Sequence, residues 1–384
     1  MLQKNIAVLT GTRAEYGLLR PVMDAVLAHP DLALQLIVTG MHLDPAYGES
    51  VREIVRDGYT IAARVHMSPP EDTGKGMALA VAAGVQGLTE ALDALRPDVL
   101  VLLGDRTEVL AGATAALFLG IPIAHIHGGD VTRGGTDESV RHAVTKMAHI
   151  HFPATAASAA RILQMGEDPW RIHLTGAPCL DTILHHQPLS RADLRARYGL
   201  PEDGPFVLLV QHAVSTEPEA AEAQINATLD ALEGLAWPVF ALYPNSDAGG
   251  RKIIAALEAR RGAYWLHIHA NLPQEDYFSL LRHCALLIGN SSSGIIESSS
   301  FRIPVINLGI RQEGRERAEN VIDAPHDTAA IRSAIAQALS PDFQASLASI
   351  ENPYGGGDTG VQIAAILASM EMGKELIQKK LNSR

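Results

Sequence analysis

The sequence predicts an α/β protein built from two doubly wound domains. Apolar, strand-like segments alternate with amphipathic helical ones, which is typical of right-handed βαβ units around a parallel sheet. A polar stretch with prolines and glycines near 185–204 interrupts this alternation, which then starts again. A chain of 384 residues is also long for a single hydrophobic core. We therefore expect a first domain over 1–184, a second over 185–358, and a C-terminal segment, 359–384, that joins the first domain.

Each predicted strand is a short apolar run that ends in polar residues. The strands of the first domain lie in NIAVLTG, LALQLIVTG, DVLVLLGD, IPIAHIHGGD and HIHFPAT. Those of the second lie in FVLLVQH, PVFALYPN, YWLHIH, CALLIGN and IPVINLG. Helices are predicted over 76–95, 106–119, 137–148 and 359–380. A further helix is expected to start near Gly294, because the serines at 291–293 are good N-cap residues.

Composition and charge narrow the functional class. The formal net charge of −12 argues against general affinity for nucleic acid. The two cysteines, Cys179 and Cys284, suggest neither a disulfide framework nor a metal cluster. The N-terminus lacks the apolar core of a signal peptide, and no apolar run approaches the ~20 residues that span a bilayer. The sequence therefore predicts a soluble, cytoplasmic protein without a membrane partner.

Polar side chains cluster where the predicted strands end. In parallel α/β sheets, ligands bind beyond the carboxyl ends of the strands. Seven strand ends carry Arg, Asp, His, Asn or Ser, so we expect a ligand site in a cleft between the two domains. The segments are TGTRAEYG, TGMH, GDRTE and HIHGGD in the first half, and QH, YPNSD and GNSSSG in the second.

Several common kinds of site are disfavoured by the motifs. The segment GTRAEYG is not a G-x-G-x-x-G dinucleotide fingerprint, and no P-loop motif occurs anywhere in the chain. His125 and His127 are expected on one face of a strand, but no third metal ligand lies at a suitable spacing. The serines at 291–293 do not fit G-x-S-x-G. The sequence thus disfavours an NAD dehydrogenase, a P-loop ATPase, a metal site and a serine hydrolase.

Basic and small polar residues predict a diphosphate site instead. Arg13 and Arg106 each open a helix after a strand, where a guanidinium group can bind phosphate oxygens in bidentate fashion. The serine-rich helix start adds free backbone N–H groups. Glu297, one turn into that helix, could accept the two hydroxyls of a ribose. These features together favour a nucleotide-sugar site.

A second basic cluster lies at Arg311, Arg315 and Arg317. It could contribute to the same diphosphate site. A solvated surface loop, in which these arginines pair with Glu313 and Glu316, is an equal alternative for the cluster taken alone.

Six segments, taken in order, carry a family resemblance. They are TGTRAEYGLLRP, VTGMHLDPAYG, LGDRTEVLA, HIHGGDVTRGGTDESVRHAVTKMAHIHF, IGNSSSGIIES and VINLGIRQEGRERAENVID. The chain resembles the hydrolysing UDP-N-acetylglucosamine 2-epimerases of sialic-acid biosynthesis from about residue 5 to 325. The resemblance implies a GT-B-like pair of Rossmann-type domains, UDP binding mainly by the second domain, and neither metal nor cofactor.

The resemblance also implies roles for particular residues. Leu272 would lie near the uracil, and Arg141 and His142 would tune the proton carriers at the sugar. The residues expected to hold the nucleotide are Arg13, Arg106, His212, Asn245, Ser291, Ser292, Glu297 and Arg311.

The implied reaction inverts C2 of the sugar and releases UDP and N-acetylmannosamine. Because the C2 proton is very weakly acidic, anti-elimination of UDP followed by hydration of a glycal intermediate is the more economical route. This needs acids and bases at the sugar. The available proton carriers are Asp105, Asp130, Asp137, Glu138 and His212.

Structural roles remain open for four of these carboxylates. Asp105 could cap the helix near Arg106, and Asp137 and Glu138 could simply favour the first turn of their helix. Asp130 stands where this family more usually has Glu, and could be a turn residue. One methylene less moves its carboxylate by about 1.5 Å.

Alternatives to this reading concern the substrate and the class of protein. An enzyme of the legionaminic-acid pathway would act on a GDP- or UDP-linked 2,4-diacetamido-2,4,6-trideoxyhexose. A glycosyltransferase would transfer the sugar to an acceptor, and a nucleotide-sugar sensor would do no chemistry. A homodimer or homotetramer is expected in each case.

Overall fold

The computed structural model describes residues 3–45, 50–67, 74–131, 137–185, 187–200, 203–214, 217–235, 237–244, 249–270 and 272–382. The chain divides into two units, Met1–Thr182 with Tyr354–Arg384, and Ile183–Pro353. The sequence placed these divisions at 184/185 and 358/359.

The first unit alternates strands and helices in chain order. It comprises β1 (Lys4–Thr10), α1 (Arg13–Ala28), β2 (Leu32–Thr39), α2 (Val51–Arg56), β3 (Ile61–Val65), α3 (Gly74–Leu95), β4 (Val99–Leu103), α4 (Thr107–Leu119), β5 (Ile123–Ile126), α5 (Asp137–Met147), β6 (Ile150–Phe152), α6 (Ala156–Gln164) and α7 (Cys179–His185).

The sheet of the first unit is parallel throughout, in the order β3-β2-β1-β4-β5-β6. Successive residues of β1 point to opposite faces, so Ile6 and Val8 enter one hydrophobic core while Ala7 and Leu9 enter the other. The strand order reverses between β1 and β4. Ligands of doubly wound sheets bind beyond the carboxyl ends of the strands at such a reversal.

The second unit repeats this plan. It comprises α8 (Arg191–Tyr198), β7 (Val207–Val210), α9 (Ala221–Glu233), β8 (Val239–Leu242), α10 (Gly250–Ala259), β9 (Leu266–His269), α11 (Gln274–His283), β10 (Leu286–Gly289), α12 (Ser293–Ile296), β11 (Val305–Leu308), β12 (Val321–Ala324), α13 (Thr328–Ala338) and α14 (Pro341–Ser346). Its parallel sheet has the order β12-β11-β10-β7-β8-β9, which reverses between β7 and β10.

The chain then returns to the first unit through α15 (Thr359–Ser369) and α16 (Lys374–Ile377). The Asp181 carboxylate accepts hydrogen bonds from the backbone N–H groups of Thr359 and Gly360, at 2.8 and 2.7 Å, and so satisfies the free N-terminus of α15. Gly360 lies directly against the backbone of Pro21, where a Cβ atom would collide. These contacts fix α15 against α1.

The sequence was wrong about the length of this C-terminal helix and missed two strands. The predicted helix over 359–380 is broken because Met370 is extended and α16 begins only after Gly373. The missed strands, β3 and β12, are both edge strands. They contain more exposed and half-buried residues than the central strands do, so they lack the continuous apolar run that identifies a buried parallel strand.

Helix α3 corrects the expectation that no apolar segment is long enough to span a bilayer. With 22 residues, it is long and apolar enough to cross a membrane by length and composition alone. One such helix is weak evidence, because core helices of soluble proteins pass the same test. One face of α3 is buried, and Gly84 lies against Ala111 of α4 and against Met67.

A buried ionic cluster ties the C-terminal residues to the end of α5. Glu167 contacts Lys146 at 2.5 Å, Lys379 at 2.7 Å and His151 at 3.2 Å. Lys379 also donates hydrogen bonds to the carbonyls of Lys146 and Ala148, just where the helix leaves its carbonyls unpaired. Burial alone would raise the pKa of Glu167, but hydrogen bonds from His151, Lys146 and Lys379 outweigh it and lower the pKa to about 2.

We predict that Glu167→Gln lowers the free energy of unfolding by about 3 kcal/mol at pH 7, because it removes a buried carboxylate and leaves the half-buried Lys379 and the more exposed Lys146 without their partner. Since the folded-state pKa lies below the unfolded value, this contribution is complete above about pH 4.5 and is lost as the pH falls toward 2. Denaturant unfolding followed by circular dichroism between pH 7 and 3 measures it, with the exposed Glu371→Gln as control. Equal stability of the two variants at pH 7 would contradict the assignment.

Candidate active site

Two arginines lie where the strand order of the first unit reverses, between β1 and β4. Thr12 caps α1, its hydroxyl accepting from the Glu15 backbone N–H, and so Arg13 stands at the exposed start of the helix. Its guanidinium pairs with Glu53 at 2.9 Å. Arg106 follows β4 as the N-cap residue of α4 and lies 3.4 Å from the Glu108 carboxylate. Both arginines are therefore placed beyond the carboxyl ends of adjacent strands, as predicted.

A buried arginine brings the predicted acids of this unit together. Arg141 on α5 is only 3% exposed. One guanidinium nitrogen, Nη1, donates to the backbone carbonyl of Asp130 at 3.0 Å and to the Glu138 carboxylate at 2.8 Å. The other, Nη2, donates to the Asp105 carboxylate. The His142 ring contacts Glu138 at 3.1 Å. Asp105 is thus not the cap of α4, which is Arg106, but an ion-pair partner of Arg141.

Asp137 begins α5 and is exposed, so its place in the first turn matches the structural alternative. A negative charge there favours the helix through the helix dipole. Glu138, the next residue, is the first-turn acid that Arg141 binds.

The two strand histidines do not lie as predicted. His125 belongs to β5 and is fully buried, with Nε2 at 2.7 Å from the Gly104 carbonyl. Burial lowers its pKa to about 4. His127 lies beyond the strand with a left-handed φ of 62°, and its Nδ1 contacts the Asp130 carboxylate at 2.9 Å. Within the described ranges, no group of three or more His, Cys, Asp or Glu side chains could hold a metal ion.

In the second unit, the turns after β7 and β10 are bound to each other. The Asn290 side chain accepts from the backbone N–H of His212 at 2.7 Å and donates to its carbonyl at 2.9 Å. Gly289 has a φ of 139°, and a Cβ atom there would collide with the Val210 carbonyl. Only glycine therefore lets the two strand ends approach so closely. The predicted residue His212 is held at the order reversal by Asn290, a residue that sequence reasoning missed.

The serine-rich turn differs from the prediction in one respect. Ser292 is the N-cap residue of α12, but its side chain makes no capping hydrogen bond, and the helix has only four residues. The Ser291 hydroxyl instead accepts from the Ser293 backbone N–H at 3.3 Å. The Arg311 guanidinium donates to the Asn290 carbonyl at 3.2 Å. Ser291 and Ser292 follow β10, and the Arg311 side chain, which follows β11, reaches the same turn.

Glu297 ends this short helix and is half-buried. It accepts from the Ser293 hydroxyl at 2.5 Å, and Ser293 in turn accepts from the Tyr277 hydroxyl at 2.8 Å. Burial raises the pKa of Glu297, and the Ser293 hydrogen bond partly opposes this. The Ser293 contact fixes a carboxylate that the sequence assigned to a ribose.

The other residues of the predicted nucleotide site have varied outcomes. Leu272 is half-buried and packs against the core around Phe278. Arg317 pairs with Asp323 of β12. Asn245 lies outside the described residues.

Two doubly wound units, each with polar turns at its order reversal, define an α/β protein with two Rossmann-like domains. The chain belongs to the UDP-N-acetylglucosamine 2-epimerase family, whose sequence model matches residues 24–368. The family resemblance of the sequence is thereby confirmed.

Three relatives are similar over most of their length. The chain is 37% identical to the UDP-N,N'-diacetylbacillosamine 2-epimerase (hydrolyzing) of Legionella pneumophila, over 98% of both chains. It is 32% identical to the UDP-N-acetylglucosamine 2-epimerase of Neisseria meningitidis, over 93% of this chain and 92% of that one. It is also 32% identical to the GDP/UDP-N,N'-diacetylbacillosamine 2-epimerase (hydrolyzing) of Campylobacter jejuni, over 84% and 85%.

Solved structures confirm the predicted fold class. The Neisseria meningitidis UDP-GlcNAc 2-epimerase bound to UDP-GlcNAc superposes with a TM-score of 0.83 at 18% identity, over 94% of this chain and 99% of that one. The Methanocaldococcus jannaschii UDP-GlcNAc 2-epimerase in complex with UDP-GlcNAc and UDP superposes with a TM-score of 0.77 at 18% identity, over 94% and 99%.

We predict that Arg141→Met lowers the free energy of unfolding by about 3–5 kcal/mol, because Asp105 and Glu138 lose their shared cation and the Asp130 carbonyl loses a donor. Arg141→Lys keeps the charge but not the planar guanidinium fork, so its free energy of unfolding should lie between those of Arg141→Met and the wild type. Denaturant unfolding compares both with Arg64→Met, which removes an exposed arginine of the same unit and should cost less than about 0.5 kcal/mol. An effect of Arg141→Met no larger than that of the control would refute the role of the guanidinium.

Proposed function

We propose that the protein is a hydrolysing 2-epimerase, which converts a UDP-linked 2-acetamido sugar into UDP and the free 2-epimer. The observation that carries this proposal is the convergence of the Asp105 carboxylate, the Glu138 carboxylate and the backbone carbonyl of Asp130 on the Arg141 guanidinium. Carboxylates grouped at a strand edge are suited to moving protons on a sugar. The hydrolysing reaction is supported by the names of the relatives from Legionella pneumophila and Campylobacter jejuni.

The chemistry proceeds by elimination and then hydration. A base removes the C2 proton, and the electrons of the C2–H bond form a C1=C2 double bond. The C1–O bond breaks, and its electron pair leaves with the diphosphate of UDP. Water then adds its oxygen to C1, while an acid delivers a proton to C2 on the opposite face. One water molecule is consumed, and the configuration at C2 is inverted.

Residues of the first unit act on the sugar in this proposal. Asp105 and Asp130 are the proton carriers, and Arg141 binds the carboxylate of Asp105 and the backbone carbonyl of Asp130. Glu138, whose carboxylate oxygens contact Arg141 and His142, orients both of these side chains. Each positioned acid or base is commonly worth a factor of about 10²–10⁴ in rate.

Residues of the second unit bind the nucleotide in this proposal. The backbone N–H groups near Ser291 and Ser292 meet the diphosphate together with Arg311, which already lies at that strand end. Glu297 accepts the ribose hydroxyls, displacing or sharing its bond with Ser293. Arg13 and Arg106 of the first unit add cationic charge that stabilises the departing diphosphate.

The sugar is more specifically a 2,4-diacetamido-2,4,6-trideoxyhexose. The 37% identity over 98% of both chains to an enzyme named for UDP-N,N'-diacetylbacillosamine favours this substrate. UDP-N-acetylglucosamine, which the sequence analysis placed first, is the second candidate and is supported by the 32% identity to the Neisseria meningitidis relative. The cytoplasmic location, the homo-oligomeric state and the sialic-acid pathway stay predictions.

Incubation with a panel of nucleotide sugars tests the proposal. The purified protein is mixed with UDP-N,N'-diacetylbacillosamine, its GDP-linked counterpart and UDP-N-acetylglucosamine, and the products are identified by NMR. We expect free UDP and the free 2-epimer of the diacetamido sugar, and a loss of turnover by about 10²–10⁴ in Asp105→Asn. Epimerised sugar that stays attached to the nucleotide would contradict the hydrolysing reaction. Transfer to an added acceptor would indicate a glycosyltransferase, and binding without any product would indicate a sensor.

We also predict that Arg13→Ala and Ser292→Ala weaken UDP binding without unfolding the protein. The lost charge-assisted hydrogen bond of Arg13 should cost about tenfold in affinity, and the smaller effect of Ser292 should still be resolved. Calorimetric titration with UDP measures both, and Arg64→Ala is the control for loss of positive charge. Affinities equal to that of the control would remove these residues from the phosphate site.

A further inference from the structure

Both carboxylate oxygens of Asp130 are held by side chains that the proposed reaction does not use. Oδ1 accepts a hydrogen bond from the Ser158 hydroxyl at 2.7 Å, and Oδ2 lies 2.9 Å from Nδ1 of His127. Because a carboxylate only accepts hydrogen bonds, Nδ1 of His127 must carry the proton that it donates. Two donors on two different oxygens leave Asp130 a single orientation.

The Ser158 hydroxyl can point its proton only at Asp130. Ser158 lies on α6 and is 2% exposed. Its oxygen accepts from the Thr155 hydroxyl at 3.0 Å and from the Arg161 guanidinium at 3.3 Å. With both acceptor positions used, the one remaining hydrogen is directed to the carboxylate. The hydrogen bonds that the Ser158 hydroxyl accepts also polarise it, which strengthens the hydrogen bond that it donates to Asp130.

The backbone around Asp130 is fixed by the same helix. Arg161 donates to the Gly129 carbonyl at 2.6 Å, and Arg141 of α5 donates to the Asp130 carbonyl at 3.0 Å. Gly129 has a φ of 77°, and a Cβ atom there would collide with the backbone carbonyl of Ser158. The backbone of residues 129–130 therefore packs directly against the first turn of α6. The two cannot move apart without breaking the hydrogen bonds from Arg161 and Ser158.

We propose that Ser158 and His127 are positioning residues that hold Asp130 ionised and aimed as the base for the C2 proton. This inference rests on the proposed function and deepens it. Of the two proton carriers, Asp105 and Asp130, it assigns the role of base to Asp130. Hydrogen bonds donated to a carboxylate favour its charged form. One more methylene would carry the carboxylate about 1.5 Å beyond both donors.

The first test removes and then restores the serine hydroxyl. Ser158→Ala should lower kcat about 10- to 100-fold on the substrate that the wild type accepts, with KM and UDP affinity within twofold. Ser158→Thr keeps the hydroxyl and should recover most of the loss. In an Asp130→Asn background, Ser158→Ala should have no further effect on kcat, because the carboxylate that it positions is gone. UDP titration and thermal unfolding of each variant establish that it is folded.

The second test separates the histidine donor from its backbone conformation. Glycine and asparagine both tolerate the positive φ of residue 127, but only asparagine places a donor nitrogen where Nδ1 lies. His127→Asn should therefore keep more activity than His127→Gly. Asp130→Glu should be less active than the wild type although it retains a carboxylate.

The outcomes distinguish this inference from the proposed function. A wild type that releases no nucleotide from any substrate would overturn both. An active wild type together with a Ser158→Ala variant of unchanged kcat would overturn the positioning role alone. Equal losses in Ser158→Ala and Ser158→Thr, or an additive loss in the Asp130→Asn background, would show a merely structural serine and would also overturn it.

Discussion

The Arg141 guanidinium is the group on which the candidate site of the first unit depends. It is buried, and it joins the turn after β4, the turn after β5 and the first turn of its own helix through Asp105, the Asp130 carbonyl and Glu138. Without a cation between them, carboxylates in a half-buried space would repel each other and would take up protons. The guanidinium fork supplies both the positive charge and the directed donors that reach two carboxylates and one carbonyl at the same time. Its presence therefore sets the charge and the spacing of the acids at once.

The same constraint explains why supporting contacts extend far from the acids. Arg141 keeps its position only if helix α5 is held in place. Lys379, which pairs with Glu167, donates hydrogen bonds to the carbonyls at the C-terminal end of α5. Helix α15 is fixed by Asp181 in turn. Residues near the end of the chain thus stabilise the helix that carries the site. In the second unit, Asn290 has a comparable role, because its side chain binds the turn after β7 to the turn after β10.

Much of this architecture could be predicted from the sequence, because central strands of a parallel sheet are continuous apolar runs. The edge strands β3 and β12 were missed because they are half-exposed and lack that pattern. The polar residues were correctly placed at the carboxyl ends of the strands, yet their partners could not be foreseen. Pairing of Asp105 with Arg141 joins residues 36 positions apart, and nothing in local spacing distinguishes an ion-pair partner from a helix cap. The contact of Ser158 with Asp130 is of the same kind.

In the proposed reaction, the acids of the first unit remove and replace the proton at C2 of a nucleotide-linked sugar. The most direct measurement runs the reaction in D₂O and locates deuterium in the released sugar by NMR. Elimination followed by hydration requires that the original C2 hydrogen leave and that a solvent proton replace it. The account therefore predicts deuterium at C2 in essentially every product molecule. Retention of the original hydrogen at C2 in the released sugar would contradict it.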